Sequence, residues 1–431
     1  MARRLLSRYA MRVLYLVPPA SGGTALARYS FLIEDAHALA AAGVDVFVLS
    51  PVPLPPQPRG IHVRVWQERP TVRALAAVAG LTLRQWPPAP IANLHDPATW
   101  RGLRVEHAAI ELIRAERIDL IHSHFGYPKG FGGVIAGRAT GVPVLASFHG
   151  TDLLMDRSLN YGRSLDTFYR RMLPGLLRSA DATLYYSDFM RREGVRLGAD
   201  PDTASVIPWG IDVEAFRGTT DPAIARQRLG LPDRPMVLSV SGLIARKGLD
   251  TVLRALARLR DTHDFTYVVC GEGPERAALE HLSATLGIAD RVRFIGRVAR
   301  QTMPDYFAAA DVFTHGAILE AAGLVLIEAM ASSRPVVCTA SGGPDEYVAH
   351  GTTGTVVPVR DDAAMAAAIS AFLADPVASA RAGRAGRARA VHAFSRERLT
   401  RDLLETYHAT VRDRGRRPGQ SHELRRPPRV A

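Results

Sequence analysis

Residues 315–348 read HGAILEAAGLVLIEAMASSRPVVCTASGGPDEYV. The apolar run DVFTHG (311–316) leads into this stretch, and PVVCTA (335–340) closes most of it. Both are short enough for buried strands, and a helix starting near Leu324, behind the turn at Gly323, fits between them. Strand, glycine-bearing turn, helix, strand is the pattern of a parallel βαβ sheet.

The same grammar extends in both directions. Upstream lie MVLSVSGL (236–243), a turn at Lys247-Gly248, an amphipathic DTVLRALARLR, then FTYVVCG (265–271) and VRFIG (292–296); downstream lies GTVVPV (354–359). An earlier series runs RVLYLV (12–17), VDVFVLS (44–50), IDLIHSH (118–124), VPVLASF (142–148) and ATLYYS (182–187). A helical segment, Thr24 to Ala42, stands between the first two and is stopped by Gly43. Residues 51–60 and 86–97 are proline-rich and predict loops. No repeat of 20–50 residues is present, which excludes a solenoid. The expected class is α/β, with two Rossmann-like domains joined near residues 209–235.

Composition narrows the function. The chain has 431 residues, 47% of them hydrophobic, with 54 Lys+Arg against 42 Asp+Glu. Its +12 charge is unevenly placed: residues 1–12 hold +4 and residues 412–431 hold +5, leaving +3 for the 399 residues between. Basic ends on a nearly neutral body suit solubility or an anionic membrane surface and argue against nucleic acid as a partner. Cys270 and Cys338 sit in apolar runs and read as buried thiols, too few for a disulfide framework or a structural zinc site. The start, MARRLLSRYAMR before VLYLV, imitates a secretory signal. Its apolar run of five residues is short of the usual 7–15, so a first strand is expected instead. No stretch approaches the roughly 18 apolar residues of a membrane span.

The 315–348 stretch also carries chemistry. A helix beginning at Leu324 points its free N–H groups and positive end at the Gly323 turn, a seat for a diphosphate. Glu320 would lie in the loop before it and Glu328 one turn in, each able to reach hydroxyls beside that diphosphate. Taken alone, two such glutamates are better explained by solvated charges. Their setting alters this. ExxGxxxxEAMA, then PVV, then GGPDE resembles the donor-site signature of retaining glycosyltransferases of family 4, which have the GT-B fold.

Other stretches follow in that family's order. SGLIARKGLDTVLRAL resembles its segment with a lysine on the donor diphosphate, here Lys247, one of only two lysines in the chain. CGEGPERAALE, VRFIGRV and YFAAADVF resemble the nucleotide-side loops, and IPWGIDVEAF the domain junction. LASFHGTDLL resembles the turn that places a histidine at the cleft, giving His149 and Asp152. SGGTALARYSFLIEDAHALAAAG resembles the first glycine loop and helix, giving Gly22 and Gly23. The resemblance covers about residues 11–410. Three departures stand out. Gly242 occupies the place of the family's arginine, with Arg246 the nearby candidate to replace it. Trp209 stands for an asparagine, and Ala321-Ala322 replace a Gly-Phe pair.

The resemblance implies transfer of a hexose from a nucleotide diphosphate sugar to a hydroxyl on a glycan, lipid-linked or small-molecule acceptor, with retention at the anomeric carbon. It implies catalytic roles for His149, Glu320 and Lys247, and donor binding by Gly22, Gly23, Arg246, Gly323, Leu324 and Glu328. Neither a cofactor nor a metal ion is implied. His122 and His124, two apart at a strand end, lack a third ligand, and the chain has neither a GxxxxGK[ST] loop nor a dinucleotide fingerprint. The expected segments are a basic extension (1–10), an acceptor-side domain (11–208), a linker (209–235) and a donor domain (236–395). A helix crossing back (396–411) and a basic disordered tail (412–431) complete them. Expected placement is cytoplasmic, peripheral on the inner membrane face if the tails bind lipid. Two alternatives stay open: a catalytically silent nucleotide-sugar-binding domain, which Gly242 would permit, and a nucleotide-sugar epimerase.

Overall fold

The computed structural model describes residues 10–17, 30–50, 54, 57–65, 97–217 and 221–415. Its strands form two parallel sheets. The first contains β1 (Arg12–Leu16), β2 (Asp45–Ser50), β3 (Ile61–Val65), β4 (Leu120–His124), β5 (Val144–Ser147), β6 (Ala182–Tyr185) and β7 (Ala204–Val206), ordered 3-2-1-4-5-6-7. The second contains β8 (Met236–Val240), β9 (Thr266–Cys270), β10 (Val292–Gly296), β11 (Val312–His315), β12 (Val336–Thr339) and β13 (Gly354–Val357), ordered 10-9-8-11-12-13. Every pairing is parallel, and each order reverses beside its first strand. Such a reversal leaves a crevice at the carboxyl ends of the strands, where ligands bind in open α/β sheets.

The apolar runs became the central strands because helices cover both faces. In β1, Val13 and Tyr15 pack into one core layer while Leu14 and Leu16 pack into the other, all at most 1% exposed. Cys270 and Cys338 are buried free thiols, and burial pushes the Cys270 thiol up to about 12. Sequence reasoning missed β3 and β7, both at sheet edges. IHVRV is half exposed and mixes basic with apolar residues, and β7 is only three residues long. The helix inside 24–42 is described over Ser30–Ala41. Pro97, expected in a loop, opens the helix Pro97–Glu116. Proline is tolerated in a first helical turn, whose N–H groups lack partners in any case.

The final helix runs Arg396–Gly415, so the expected stop at residue 411 is corrected, and residues 412–415 belong to the helix. An ion pair from Arg414 to Asp181, beside β6, gives this last turn an anchor. The helix docks on the first domain. Fully buried Tyr407 places its hydroxyl 2.7 Å from His122 Nδ1 on β4 and 3.1 Å from the Tyr15 hydroxyl on β1. Arg398 donates to the Trp209 carbonyl at 3.0 Å, fastening the same helix to the junction. Residues 1–9 and 416–431 lie outside the described residues, and so do Gly22 and Gly23. Among the described residues, no single helix is long and apolar enough to cross a membrane.

The two domains also meet directly. The helix Asp188–Arg196 begins against the second domain, where the Glu346 carboxylate accepts from Asp188 N and Phe189 N, each at 2.6 Å. An acceptor at a helix N-terminus satisfies otherwise unpaired donors and suits the helix dipole. Ser187 Oγ donates to the Ala321 carbonyl at 2.6 Å, and the Tyr347 hydroxyl donates to the Tyr186 carbonyl at 2.7 Å.

Tyr407→Phe leaves His122 Nδ1 buried without its partner. We expect it to lower stability by about 1–3 kcal/mol, the usual cost of a buried unpaired group. Urea unfolding followed by tyrosine and tryptophan fluorescence checks this, and an unchanged midpoint would show that the hydroxyl bridge contributes nothing.

Candidate functional site

The second domain builds its side of the cleft from a tight turn after β8. Gly248 adopts φ +58, and a Cβ there would stand 1.9 Å from the Gly316 carbonyl oxygen. Only glycine lets these backbones approach so closely. The contact presses Ala245–Lys247 onto the loop after β11, and Ile318 N donates to the Arg246 carbonyl at 2.8 Å.

Three predicted residues converge there. Lys247 Nζ forms an ion pair with Glu320 Oε2, and Arg246 Nη1 lies 3.2 Å from the same oxygen and donates to the Leu319 carbonyl. His315 Nε2 stands 3.5 Å from that oxygen. The three charged side chains are only 12–17% exposed. Burial alone would raise the Glu320 carboxyl. Lys247, the His315 contact and Arg246 outweigh it and hold the group well below the usual carboxylate range. At neutral pH the cluster is two cations around one anion, a net positive site in a partly dry cleft.

Gly323 precedes the helix Leu324–Ala331 with φ +153, and no side chain caps that helix. A Cβ at Gly242 would meet nothing closer than the Glu272 carbonyl at 3.8 Å, so space is open where the family's arginine would stand.

Glu328 lies in the helix as expected, but its partner was not foreseen. Arg300 Nη1 is 3.4 Å from Glu328 Oε1, while its Nε and Nη2 lie 2.9 and 3.1 Å from the two oxygens of Glu34 in the first domain. Arg396 pairs with Glu34 as well. Residues separated by 266 positions leave no local pattern that could have paired them. Burial pushes the Glu328 carboxyl up to about 7, with Arg300 opposing.

The first domain contributes His149. Fully buried Asp152 accepts from His149 N and Gly150 N, both at 2.9 Å, and this turn presents the histidine from the end of β5. Phe125 stacks on the imidazole at 4.1 Å, with Tyr186 at 5.0 Å and Trp209 at 5.6 Å. Trp209 stacks on Tyr186 at 3.7 Å, so the residue in place of asparagine forms part of the aromatic wall. His149 Nδ1 is buried without a hydrogen-bond partner.

The two sides touch across the cleft. A Cβ at Gly150 would lie 2.9 Å from Ala321 Cβ, so the glycine is what lets Ala321 come this close. Tyr161 of the first domain lies under the Arg246 guanidinium at 4.4 Å, a cation–π contact that sequence reasoning missed. His122 is occupied by Ser147 Oγ at 2.6 Å and by Tyr407. Among the described residues no group of three or more His, Cys, Asp or Glu is placed to hold a metal ion.

Two family models match the chain: "Glycosyltransferase Family 4" over residues 31–215 and "Glycosyl transferases group 1" over residues 222–389. Over 413 residues the chain is 30% identical to a D-inositol 3-phosphate glycosyltransferase of Streptomyces scabiei, covering 91% of this chain and 88% of that relative. The chain belongs to glycosyltransferase family 4. This glycosyltransferase is also 34% identical, over 285 residues, to a GDP-mannose-dependent alpha-(1-6)-phosphatidylinositol monomannoside mannosyltransferase of Mycolicibacterium smegmatis, covering 64% of this chain and 72% of that one. Its fold matches a sucrose-phosphate synthase of Thermosynechococcus elongatus with TM-score 0.73 at 23% identity, covering 94% and 100% of the two chains. A glycosyltransferase of Rickettsia africae matches with TM-score 0.71 at 19% identity, covering 94% and 99%. The enzyme therefore has the GT-B fold, and its reaction is glycosyl transfer from a nucleotide sugar.

The Glu328 carboxyl makes a testable contribution to stability. Its folded pKa of about 7 lies above the ordinary 4.5, so the folded enzyme holds an extra proton between these values. That contribution is fully present below pH 4.5 and is lost as pH rises toward 7. Glu328→Gln cannot ionise, so relative to wild type it should gain up to about 3 kcal/mol of stability as pH rises from 4.5 to 7. Asp35 and Asp152, raised by burial to about 7 and about 6, add to this loss, while His122, His124 and His149, lowered by burial, act in the opposite sense up to about pH 6.5, so the difference between variant and wild type is what reads Glu328. Unfolding at several pH values checks this; an unaltered slope would mean that Glu328 titrates normally.

Proposed function

We propose that the enzyme moves a hexose from a nucleotide diphosphate sugar to an acceptor hydroxyl with retention, using Arg246 and Lys247 as the cations that receive the leaving diphosphate. The observation that carries this reading is the convergence of both cations on Glu320, beside the uncapped helix start at Gly323 and Leu324. As the sugar–oxygen bond breaks, negative charge gathers on the diphosphate and the sugar becomes oxocarbenium-like. Fixed positive groups aimed at that charge lower the barrier without reorganising, typically by about 2.7–4 kcal/mol per donor.

In this reading Arg246 replaces the arginine missing at Gly242, because it shares the carboxylate partner of Lys247. Glu320 restrains the two cations before the donor arrives and then meets the sugar's hydroxyls. His149 is neutral at pH 7, since burial and His124 lower it well below 6.5, so it acts as a hydrogen-bonding group at the sugar and not as a charge. Glu328 holds the ribose, with Arg300 giving up or sharing that carboxylate. The acceptor hydroxyl enters on the face the diphosphate leaves, and no side chain serves as covalent nucleophile. The cations of the chain, and not a metal ion, neutralise the leaving group.

The acceptor belongs on the first-domain side. Relatives named for D-inositol 3-phosphate and for a phosphatidylinositol mannoside favour an acceptor bearing a phosphorylated cyclitol, free or lipid-linked. A lipid-linked acceptor suits the basic N-terminal end, at about 1 kcal/mol per basic residue near an anionic surface. Arg12 is committed elsewhere, donating to the Glu116 carbonyl at 2.7 Å, so Arg3, Arg4 and Arg8 would carry that attraction.

A thermal-shift screen against UDP-, GDP-, ADP- and TDP-sugars names the donor, and release of nucleotide diphosphate with each acceptor class tests transfer. A silent binding domain would shift in the screen and release nothing. Lys247→Ala should cost about 100- to 1,000-fold in transfer rate with folding unchanged. Near-normal turnover in that variant would refute the donor-site assignment.

Glu320→Gln should separate binding from chemistry. It frees both cations, so a bare nucleoside diphosphate should bind about 5- to 10-fold more tightly, while sugar transfer falls. Calorimetric titration with nucleotide alone, set beside turnover, reads both. Weaker binding of the bare nucleotide would contradict this role for Glu320.

A further inference from the structure

We propose that Tyr161 is a positioning residue for the leaving group: its ring, carried by the first domain, holds the Arg246 guanidinium of the second domain where the diphosphate departs. This rests on the reading of Arg246 as one of the two cations that receive that diphosphate. Arg246 Cζ lies over the Tyr161 ring, 4.4 Å from its centre. Among the described residues, both hydrogen bonds of the guanidinium pass through Nη1, to the Leu319 carbonyl and to Glu320 Oε2, while Nε is buried with no partner. A planar group held at one nitrogen can still swing about it, and the face of Tyr161 limits that swing on one side. Attraction between a guanidinium and a ring face strengthens where water is scarce, and the Arg246 side chain is only 12% exposed. Burial pushes the Tyr161 phenol up to about 12, with Arg246 opposing, so the cation meets a neutral ring and not a phenolate.

A tightly built loop presents this ring. Residues 150–162, GTDLLMDRSLNYG, follow directly on His149. Asp156 and Tyr161 pair antiparallel, each N–H donating to the other's carbonyl at 2.9 Å. The Asp156 carboxylate accepts from Ser158 Oγ at 2.6 Å and from Leu159 N at 3.1 Å. Asn160 takes φ +48, which asparagine tolerates better than most residues. Gly162 has φ +105, and a Cβ there would stand 2.1 Å from the Leu154 carbonyl oxygen. On the other side, a Cβ at Gly150 would come within 3.1 Å of the Tyr161 hydroxyl. The loop is thus held in one shape, and the residue it presents is the one that meets Arg246. Gly242 leaves open the place of the family's arginine, so the arginine that stands in for it four residues later needs a support of its own. The first domain supplies that support, and only while the two domains face each other.

Full-length enzyme carrying phenylalanine at residue 161, and then its difluorinated and pentafluorinated forms, tests this. Fluorine drains negative potential from the ring face and leaves the shape nearly unchanged, so folding is preserved along the series. Calorimetric titration with bare UDP, GDP, ADP and TDP probes the leaving group itself. We expect Tyr161→Phe to bind the preferred diphosphate within about twofold of wild type, and Kd to rise along the fluorinated series by about 2- to 30-fold in all. In an Arg246→Ala background the series should be flat. A flat or falling Kd with Arg246 present, or the same rise without it, overturns the inference. Undiminished diphosphate binding by Arg246→Ala would instead reject the diphosphate-receiving role of Arg246, and with it the reason for holding the guanidinium in place.

Discussion

Two cations held around one carboxylate form the constraint on which this enzyme's site depends. Arg246 and Lys247 are adjacent in sequence and would repel each other in a cleft where each is less than a fifth exposed. Glu320 makes their proximity tolerable, and the glycine-only contact between Gly248 and Gly316 brings the two loops together. Removing charges from water is costly, and a buried ion pair rarely repays that cost in stability alone. The surplus of one positive charge makes sense for a site that receives an anion. The fold keeps an electrostatic field ready where a diphosphate is released, so little rearrangement is needed during the reaction.

That field is useful only if the first domain faces it. The contacts that ensure this are short and polar: Glu346 capping the helix Asp188–Arg196, Ser187 on the Ala321 carbonyl, and Arg300 between Glu34 and Glu328. Tyr161 extends the same facing by lying under Arg246. The final helix adds a strap, with Tyr407 buried against β1 and β4 while Arg398 holds the junction at Trp209. Inter-domain surfaces of this polar kind permit relative motion. The Arg300 bridge bears on such motion, since a ligand at Glu328 would act on a side chain that also holds the first domain.

Much of this architecture is legible in the amino-acid sequence. The apolar runs locate every central strand, because a parallel strand buried on both faces must be apolar throughout. Edge strands β3 and β7 escape, because partial exposure removes that signal. His149, Arg246, Lys247, Glu320, Gly323 and Glu328 stand in short motifs, in which local backbone geometry and side-chain type are encoded together. Arg300, Tyr161, Glu34 and Glu346 do not, since each acts on a residue far away in sequence and carries no local pattern. The final helix is read as ending at 411 instead of Gly415 for the same reason: Asp181, which holds Arg414, lies 233 positions earlier.

Sequence alone therefore determined the two parallel sheets, the turn glycines and the chemical types gathered at the cleft, because burial, backbone freedom and charge are properties of single residues and short spacings. Only the tertiary structure decided which charge meets which. It brought Arg246 to Glu320 rather than leaving it in solvent, placed Arg300 between two carboxylates of different domains, and set Tyr161 under Arg246. Such pairings depend on how two separately folded sheets are set against each other, and the packing that sets them is spread over the whole chain.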